Sequence, residues 1–424
     1  MLKSLTIKNI GLACDLQVSW ARRFNVIGGD NGAGKSFLLD LSWWALTRTW
    51  AGSPALPDPG SDKATIQAEI SGKTKDKEIS STYIREKQEW PVEKSRPAMP
   101  GIVVYIRVDG SFSVWDPARN YWREDPQRPS AYHFDNSKVW EGLEINGIRV
   151  CEGLDRDWVN WQEGGKTQFE SLKAVLEALS APDEPLTPGK PRRLYLGEGR
   201  DRPTLNIDGK DVPVALASAG ARRILALSYV LVWTWYEHHI ASQLIGKRPD
   251  SRFVVLFDEP ETHLHPRWQR TIIPALFKAL GLLRWNDLKL DQNWTPQFII
   301  STHSPMVTAS LEPFFRSDID QLFHLEIVEG QIRIESGLHS MQGDVANWLV
   351  SEFFQLKQAR SKEAEDTIEE AEEWMRASQE KKSSLVDSAS IHDKLLKLLP
   401  EHDPFWPRWV ISSTPQAISD ENEG

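Results

Sequence analysis

At 424 residues and 40% hydrophobic content the chain can bury a large core, and its length predicts two or three domains or one large domain with insertions. Fifty basic against sixty acidic residues give a net charge of −10, which excludes a surface coated for non-specific nucleic-acid binding and leaves room only for a local basic groove. Two distant cysteines, Cys14 and Cys151, form no metal-ligand pattern and read as buried thiols, while Met1–Asn9 lacks a secretory apolar run and Ile224–Trp235 is too short to span a bilayer, so the expectation is a cytoplasmic protein with no membrane partner.

The first strand is expected over Leu2–Ile10, where polar and apolar residues alternate. Phe24–Ile27 is an apolar strand feeding Gly29-Asp30-Asn31-Gly32-Ala33-Gly34-Lys35-Ser36, followed by Phe37 and an apolar helix to Trp50. This satisfies G-x-x-x-x-G-K-[ST] in the strand–loop–helix setting that a phosphate-binding loop needs. Gly29, Gly32 and Gly34 let successive N–H groups face inward as a nest for phosphate oxygens, and the helix start adds its positive dipole end. Lys35 is expected to reach the β- and γ-phosphates of ATP, and Ser36 to offer its hydroxyl to Mg²⁺.

A Gly/Pro/Asp-rich loop at 52–62 precedes an alternating strand, Ala64–Ile70, and Gly101–Arg107 with Ser111–Trp115 forms a hairpin around an Asp-Gly turn. Tryptophans crowd the next stretch (Trp115, Trp122, Trp140, Trp158, Trp161); without an interleaved basic run they read as packing residues of an inserted subdomain rather than a base-stacking platform. Helices are expected over Phe169–Leu179, Ala221–Ser242 and Trp268–Leu283, buried strands at Phe253–Phe257 and Gln297–Ser301, and a second hairpin at Leu322–Glu335. Val328-Glu329-Gly330 within that hairpin reads as its turn. Residues 344–399 are helical in pattern, the acidic run Glu363–Glu373 being a solvated face, and 412–424 form a frayed polar tail.

The chemistry concentrates at three further points. Phe253–Phe257 ends in Asp258-Glu259-Pro260-Glu261, placing Asp258 to hold Mg²⁺ and Glu259 to orient and deprotonate a water. The strand Phe298–Ser301 delivers Thr302-His303-Ser304 at its carboxyl end, where His303 fits a γ-phosphate sensor. Ala217-Ser218-Ala219-Gly220-Ala221-Arg222-Arg223 opens the long apolar helix with small residues, a second anion-binding helix start. His263-Leu264-His265 beside Glu259 and Glu261 does not have the H-E-x-x-H spacing of a metal site.

In this order the motifs resemble those of ABC-type ATPase heads, and Leu5-Thr6-Ile7-Lys8-Asn9 resembles the start of SMC, RecF and OLD-like heads. Glu261-Thr262-His263-Leu264-His265-Pro266 looks like their D-loop. The resemblance covers residues 1–50 and 210–310 strongly. It implies an α/β fold: a head with a mostly parallel core sheet, an antiparallel β subdomain, a Trp-rich insertion and a C-terminal helical segment. The divisions expected are 1–120, 121–210, 211–343, 344–411 and 412–424, with the two halves of the head in the first and third. It further implies that Ser218 and Gly220 contact the γ-phosphate bound to an opposite protomer, although Ala219 and Ala221 stand where the family's usual second glycine and glutamine would be. Arg222 or Arg223 is left either to supply charge there or to pair with surface acids. Gln88 is the candidate glutamine between Mg²⁺ and the water, with Gln67 as its competitor.

No long heptad arms separate the half-motifs and no Toprim nuclease pattern follows. The chain therefore looks like a compact AAA-15/AAA-21-type ATPase of the kind that accompanies a separate effector in anti-phage systems such as Septu, and His402–Trp409 resembles the tail of these ATPases, with Phe405, Trp406 and Trp409 docking on the body or on a partner. The implied partners are a second copy of the chain, in a homodimer or larger homo-oligomer with composite ATP sites, and a nuclease effector. The alternative is a RecF-like repair ATPase acting directly on DNA.

Overall fold

The structure is a computed structural model and describes residues 1–61, 63–72, 75–92, 98–120, 128–285, 295–337, 341–377 and 387–413. Two compact units divide the chain, residues 1–348 and 349–424. Trp122 and residues 414–424 lie outside the described residues.

The strands of the first unit are β1 (Leu2–Ile10), β2 (Ala13–Ser19), β3 (Phe24–Gly29), β4 (Thr65–Ser71), β5 (Asp76–Thr82), β6 (Ile102–Ile106), β7 (Phe112–Trp115), β8 (Tyr132–Phe134), β9 (Leu143–Ile145), β10 (Ile148–Cys151), β11 (Thr187–Pro188), β12 (Thr204–Ile207), β13 (Lys210–Pro213), β14 (Phe253–Asp258), β15 (Gln297–Ser301), β16 (Gln321–Val328) and β17 (Gln331–Gly337). Its helices are α1 (Lys35–Thr47), α2 (Asn136–Glu141), α3 (Leu154–Glu163), α4 (Thr167–Leu179), α5 (Ala219–Leu244), α6 (Pro266–Gln269), α7 (Ile272–Trp285), α8 (Pro305–Leu311) and α9 (Val345–Val350).

An eight-stranded sheet in the order β17-β16-β3-β15-β14-β6-β7-β8 forms the centre. Its five middle strands, β16 to β6, run parallel, and antiparallel hairpin partners close both edges. The parallel strands are apolar without alternation because both faces are covered. On one face α1 lies between this sheet and a four-stranded antiparallel sheet, β2-β1-β4-β5. Sandwiched in this way, α1 buries Leu38, Leu39, Leu41, Trp43, Trp44 and Leu46 around most of its circumference. It stops after Thr47, short of the expected Trp50, because Arg48 turns left-handed (φ 63°) and returns its N–H to the Trp44 carbonyl. On the other face Trp235 of α5 stacks on Phe253, and Phe277 of α7 meets Phe24 and Phe298.

Trp115 belongs to the core sheet itself, and α4 buries Phe169, Leu172, Val175, Leu176 and Leu179 with α5 and α7 as its neighbours. Trp158 and Trp161 of α3 are buried, the latter stacked on Tyr229 of α5. Cys151 is buried, but Cys14 on β2 is exposed, contrary to the expected burial of both thiols. The expected helix Trp268–Leu283 is two: His265 caps α6, with Pro266 in its first turn, and the chain breaks at Arg270–Thr271 before α7. Glu329 and Gly330, with φ 52° and 77°, make the tight turn joining β16 and β17.

In the second unit Lys362–Arg376 is a helix that buries Ala364, Thr367, Ile368 and Ala371 and turns its acids outward. Glu370 pairs with Lys394 and Glu372 with Arg408. Phe405 and Trp409 are buried in this unit's own core, with Trp406 packed against it, and the helix Trp406–Ser413 includes two residues of the expected tail. Among the described residues no helix is long and apolar enough to cross a membrane.

Candidate functional site

Parallel pairing brings the carboxyl ends of β3, β15, β14 and β6 to one edge of the sheet, where α/β proteins place their ligands. β3 runs into the glycine-rich loop. Gly29, Gly32 and Gly34 have φ of 132°, 80° and 92°, conformations that residues with a Cβ rarely take. Gly34 caps α1 without a side-chain bond, so the first N–H groups of α1, at Lys35, Ser36 and Phe37, precede the first helical bond from Leu38 to Gly34. Asp30, Asn31, Gly32 and Ser36 are exposed, Ala33 is buried with its amide on the Asp30 carbonyl, and Lys35 is buried. Lys35 Nζ donates to the carbonyls of Gly29 and Asp30, each at 2.8 Å. Burial lowers the Lys35 pKa, against the opposing pull of Glu259, Asp258, Asp30 and Glu261.

Beside the loop, Asp258 ends β14 and pairs in register with Ser301 at the end of β15. Ser301 Oγ donates to Asp258 Oδ1 and accepts the amide of Glu259 at 3.1 Å. The Ser301 carbonyl accepts that same amide, also at 3.1 Å. Glu259 is left-handed, with φ 46°. Its Oε1 is 3.6 Å from His303 Nε2, and its Oε2 accepts from the Thr262 hydroxyl at 3.3 Å. Burial, and after it the Lys35 charge, lower the His303 pKa below the usual imidazole value, against the opposing pull of Glu259, Asp258 and Asp30.

Glu261 holds the loop that carries His303. One carboxylate oxygen accepts the His303 amide at 2.6 Å and the other the Thr302 hydroxyl at 2.9 Å, and burial raises its pKa. A further acid, Asp40, lies one turn beyond Ser36 on α1, with its pKa raised by burial and by the nearby Asp258. Residue types alone could not single out Ser301, Glu261 or Asp40, because each acts through a neighbour distant in sequence. The nearest signal was the position of Ser301 as last residue of a buried strand.

The remaining expected residues fall elsewhere. Ser218 is exposed and caps α5, its Oγ accepting the Ala221 amide at 3.2 Å. Gly220 is buried rather than presented to solvent: a Cβ there would lie 3.0 Å from the His263 carbonyl oxygen, so the glycine permits close packing of α5 on the turn after β14. Arg222 stacks over Trp140, while Arg223 turns inward, with Nη2 on the Glu259 carbonyl at 3.3 Å. Gln88 is exposed in the tight turn Ile84–Glu89 beyond β5, and Gln67 is exposed on β4. Both belong to the antiparallel part of the molecule. The strand beside β14 is β6, whose carboxyl end carries Arg107, Val108 and Asp109, so neither glutamine sits on the parallel strand ends that gather the other residues.

The residues fit a nucleotide. The left-handed glycines and the α1 start suit phosphates, and a loop lysine beside them suits their charge. Mg²⁺ needs only one or two protein ligands beside phosphate oxygens and water, which Ser36 and Asp258 could supply. Among the described residues no cluster of three or more His, Cys, Asp or Glu would hold a metal by itself.

Fold and site together resemble the layout of an ABC-type P-loop ATPase head, with motifs at the start of the chain and within residues 210–310. Two family descriptions match: "AAA domain" over residues 4–121 and "AAA domain, putative AbiEii toxin, Type IV TA system" over residues 204–309. The Retron Ec83 probable ATPase of Escherichia coli is 30% identical over 110 residues, 26% of this chain and 16% of that protein. The Retron Vc95 probable ATPase of Vibrio cholerae serotype O1 biovar El Tor is 28% identical over 110 residues, 24% and 17% of the two chains. The chain spans about a sixth of the length of these curated relatives. Among solved structures, the SMC head domain from Thermotoga maritima is similar at 15% identity over 80% of this chain and 99% of that one, with a TM-score of 0.40. The recombination mediator protein RecF-ATPrS in the RecFOR pathway is similar at 15% identity over 79% and 98%, with a TM-score of 0.38.

Proposed function

We propose that the chain binds ATP with Mg²⁺ at the Gly29–Ser36 loop and hydrolyses it, and that two copies close over the nucleotide to gate a separate effector, a nuclease, in an anti-phage system. The observation that carries this reading is the division of the site. Lys35, Asp258, Glu259 and His303 gather at one sheet edge, whereas Ser218 is exposed on another element, its hydroxyl bonded only within its own helix start among the described residues.

Bound Mg²⁺ would supply charge neutralisation for the departing phosphate. Lys35 and the first amides of α1 hold the phosphates. Glu259 takes the proton of the attacking water, and His303, whose Nε2 lies 3.6 Å from that carboxylate, senses the γ-phosphate. Asp258, fixed by Ser301, faces the metal position. Ser218 of a second copy completes the site from outside. The similarity to two retron ATPases supports service within a multi-component defence system.

Sizing of a Glu259→Gln variant tests the reading. ATP with Mg²⁺ should move it from monomer to dimer, since nucleotide stays bound when its base is removed; a monomer at saturating ATP sinks the composite site. DNA acting directly on this chain would instead appear as DNA-stimulated turnover that falls steeply with salt.

A further inference from the structure

Arg223 lies one turn into α5 and is only 9% exposed. Its guanidinium bridges two strand ends: Nη1 donates to the carbonyl of Val108 just beyond β6 at 3.2 Å, and Nη2 donates to the carbonyl of Glu259 just beyond β14 at 3.3 Å. The guanidinium carbon stands 6.0 Å from the ring centroid of Phe257, the residue before Asp258. Nε is buried and has no hydrogen-bond partner among the described residues, and the charge also feels the carboxylates of Glu261, Asp109, Asp258 and Glu259.

The Glu259 contact has a particular consequence. A left-handed backbone costs a non-glycine residue roughly 1–2 kcal/mol, so the surroundings must hold it in place. At Glu259 the amide is held by Ser301, through both its hydroxyl and its carbonyl, and the carbonyl is held by Arg223. One peptide is therefore anchored to β15 and the next to α5. The direction of the Glu259 side chain depends on both anchors. The first turn of α5 also meets the loop after β14 at a second point, where Gly220 sits against the His263 carbonyl. Ser218, at the exposed tip of that turn, lies five residues before Arg223 on the same rigid element.

We propose that Arg223 is a positioning residue that ties the backbone of Glu259 to the start of α5, so that engagement of Ser218 by a second copy sets the aim of the Glu259 carboxylate. The proposal rests on the hydrolytic reading of the site given above. It assigns Arg222 and Arg223 different tasks, since Arg222 lies over Trp140 and makes no such bridge.

The test compares the full-length wild type with Arg223→Ala and Arg223→Lys, measuring kcat and KM for ATP and, separately, the affinity for a fluorescent ATP analogue. Arg223→Ala should bind the analogue within about twofold of wild type and lose about 30- to 100-fold in kcat, the scale of a base displaced by about 1 Å. Arg223→Lys keeps the charge but cannot fork to both carbonyls, and should give an intermediate kcat. If the alanine variant does not melt cooperatively, the lysine variant decides. A wild-type kcat in the lysine variant, or in a folded alanine variant, overturns the proposal, as does a loss confined to nucleotide affinity. A wild type that binds the analogue without turning over ATP overturns the hydrolytic reading together with this proposal. Wild-type turnover with unaffected variants overturns the coupling alone.

Discussion

Ser301→Ala removes one buried hydroxyl that serves both acidic residues at the end of β14. Ser301 is fully buried and Asp258 is 2% exposed, so water cannot replace what is lost. The bond to the Asp258 carboxylate is charge-assisted and worth about 1.5–3 kcal/mol, and the bond from the Glu259 amide about 0.5–1.5 kcal/mol. The second figure is discounted, because that amide keeps the Ser301 carbonyl at 3.1 Å. The expected destabilisation is therefore about 2–3 kcal/mol, most of it from a carboxylate left short of one donor. Urea unfolding followed by fluorescence should show a lower midpoint with an unchanged slope, since the surface exposed on unfolding is the same. Turnover should fall as well, because the Asp258 carboxylate and the Glu259 amide each lose a bond, while nucleotide affinity, carried by Lys35 and the loop amides, should hold. A variant as stable as wild type, with undiminished kcat, would show that Ser301 does not support these groups.

A carboxylate at the other end of the sheet tests its framework without touching the site. Asp320 accepts from Arg23 Nε and Nη2, the Phe24 amide and the Arg316 amide; Asp320→Ala leaves Arg23 only the Phe314 carbonyl and the Phe24 ring and should cost about 3 kcal/mol in denaturant unfolding, with little dependence on salt. Asp157 accepts the Tyr229 hydroxyl at 2.7 Å, and burial raises its pKa to about 6. A folded-state pKa above the unfolded value means that stability is fully present below about pH 4 and is lost as pH rises through about 6, by about 2–3 kcal/mol. Asp157→Asn should flatten that part of the stability–pH curve, and an unchanged slope between pH 4 and 6 would refute the assignment.

The strands and helices readable from the sequence are those whose signal is local. β1 and β15 occupy the residues their patterns predict, and β3, β14 and α5 do so within two residues or so. Other elements depend on partners that no local window contains. β2 and β5 are strands because β1 and β4 lie beside them. Gln88 is a candidate through the resemblance alone, and the structure places it in the turn Ile84–Glu89 beyond β5. The same limit applies within the site. The sequence shows that Asp258, Glu259 and His303 end two buried strands, yet only the pairing of β14 with β15 puts Ser301 beneath both acids.

The hairpin of β16 and β17 shows how far such non-local control extends. It supplies none of the residues expected to do chemistry, yet it abuts the phosphate-binding loop at two points. β16 pairs with β3 up to Gly29, where a Cβ would fall 2.0 Å from the Leu325 carbonyl oxygen. Ile332 of β17 leaves its Cδ1 only 2.7 Å from where a Cβ on Gly34 would stand. Ile332 also donates its amide to the Leu12 carbonyl, joining the hairpin to the turn before β2. The glycines at 29 and 34 therefore answer two demands together: a left-handed backbone for the phosphate nest, and contact with the hairpin that leaves no room for a side chain. The loop motif records the first demand. The second fixes where the loop begins and ends: Gly29 and Gly34 both abut the hairpin, while Asp30, Asn31 and Gly32 between them stay exposed.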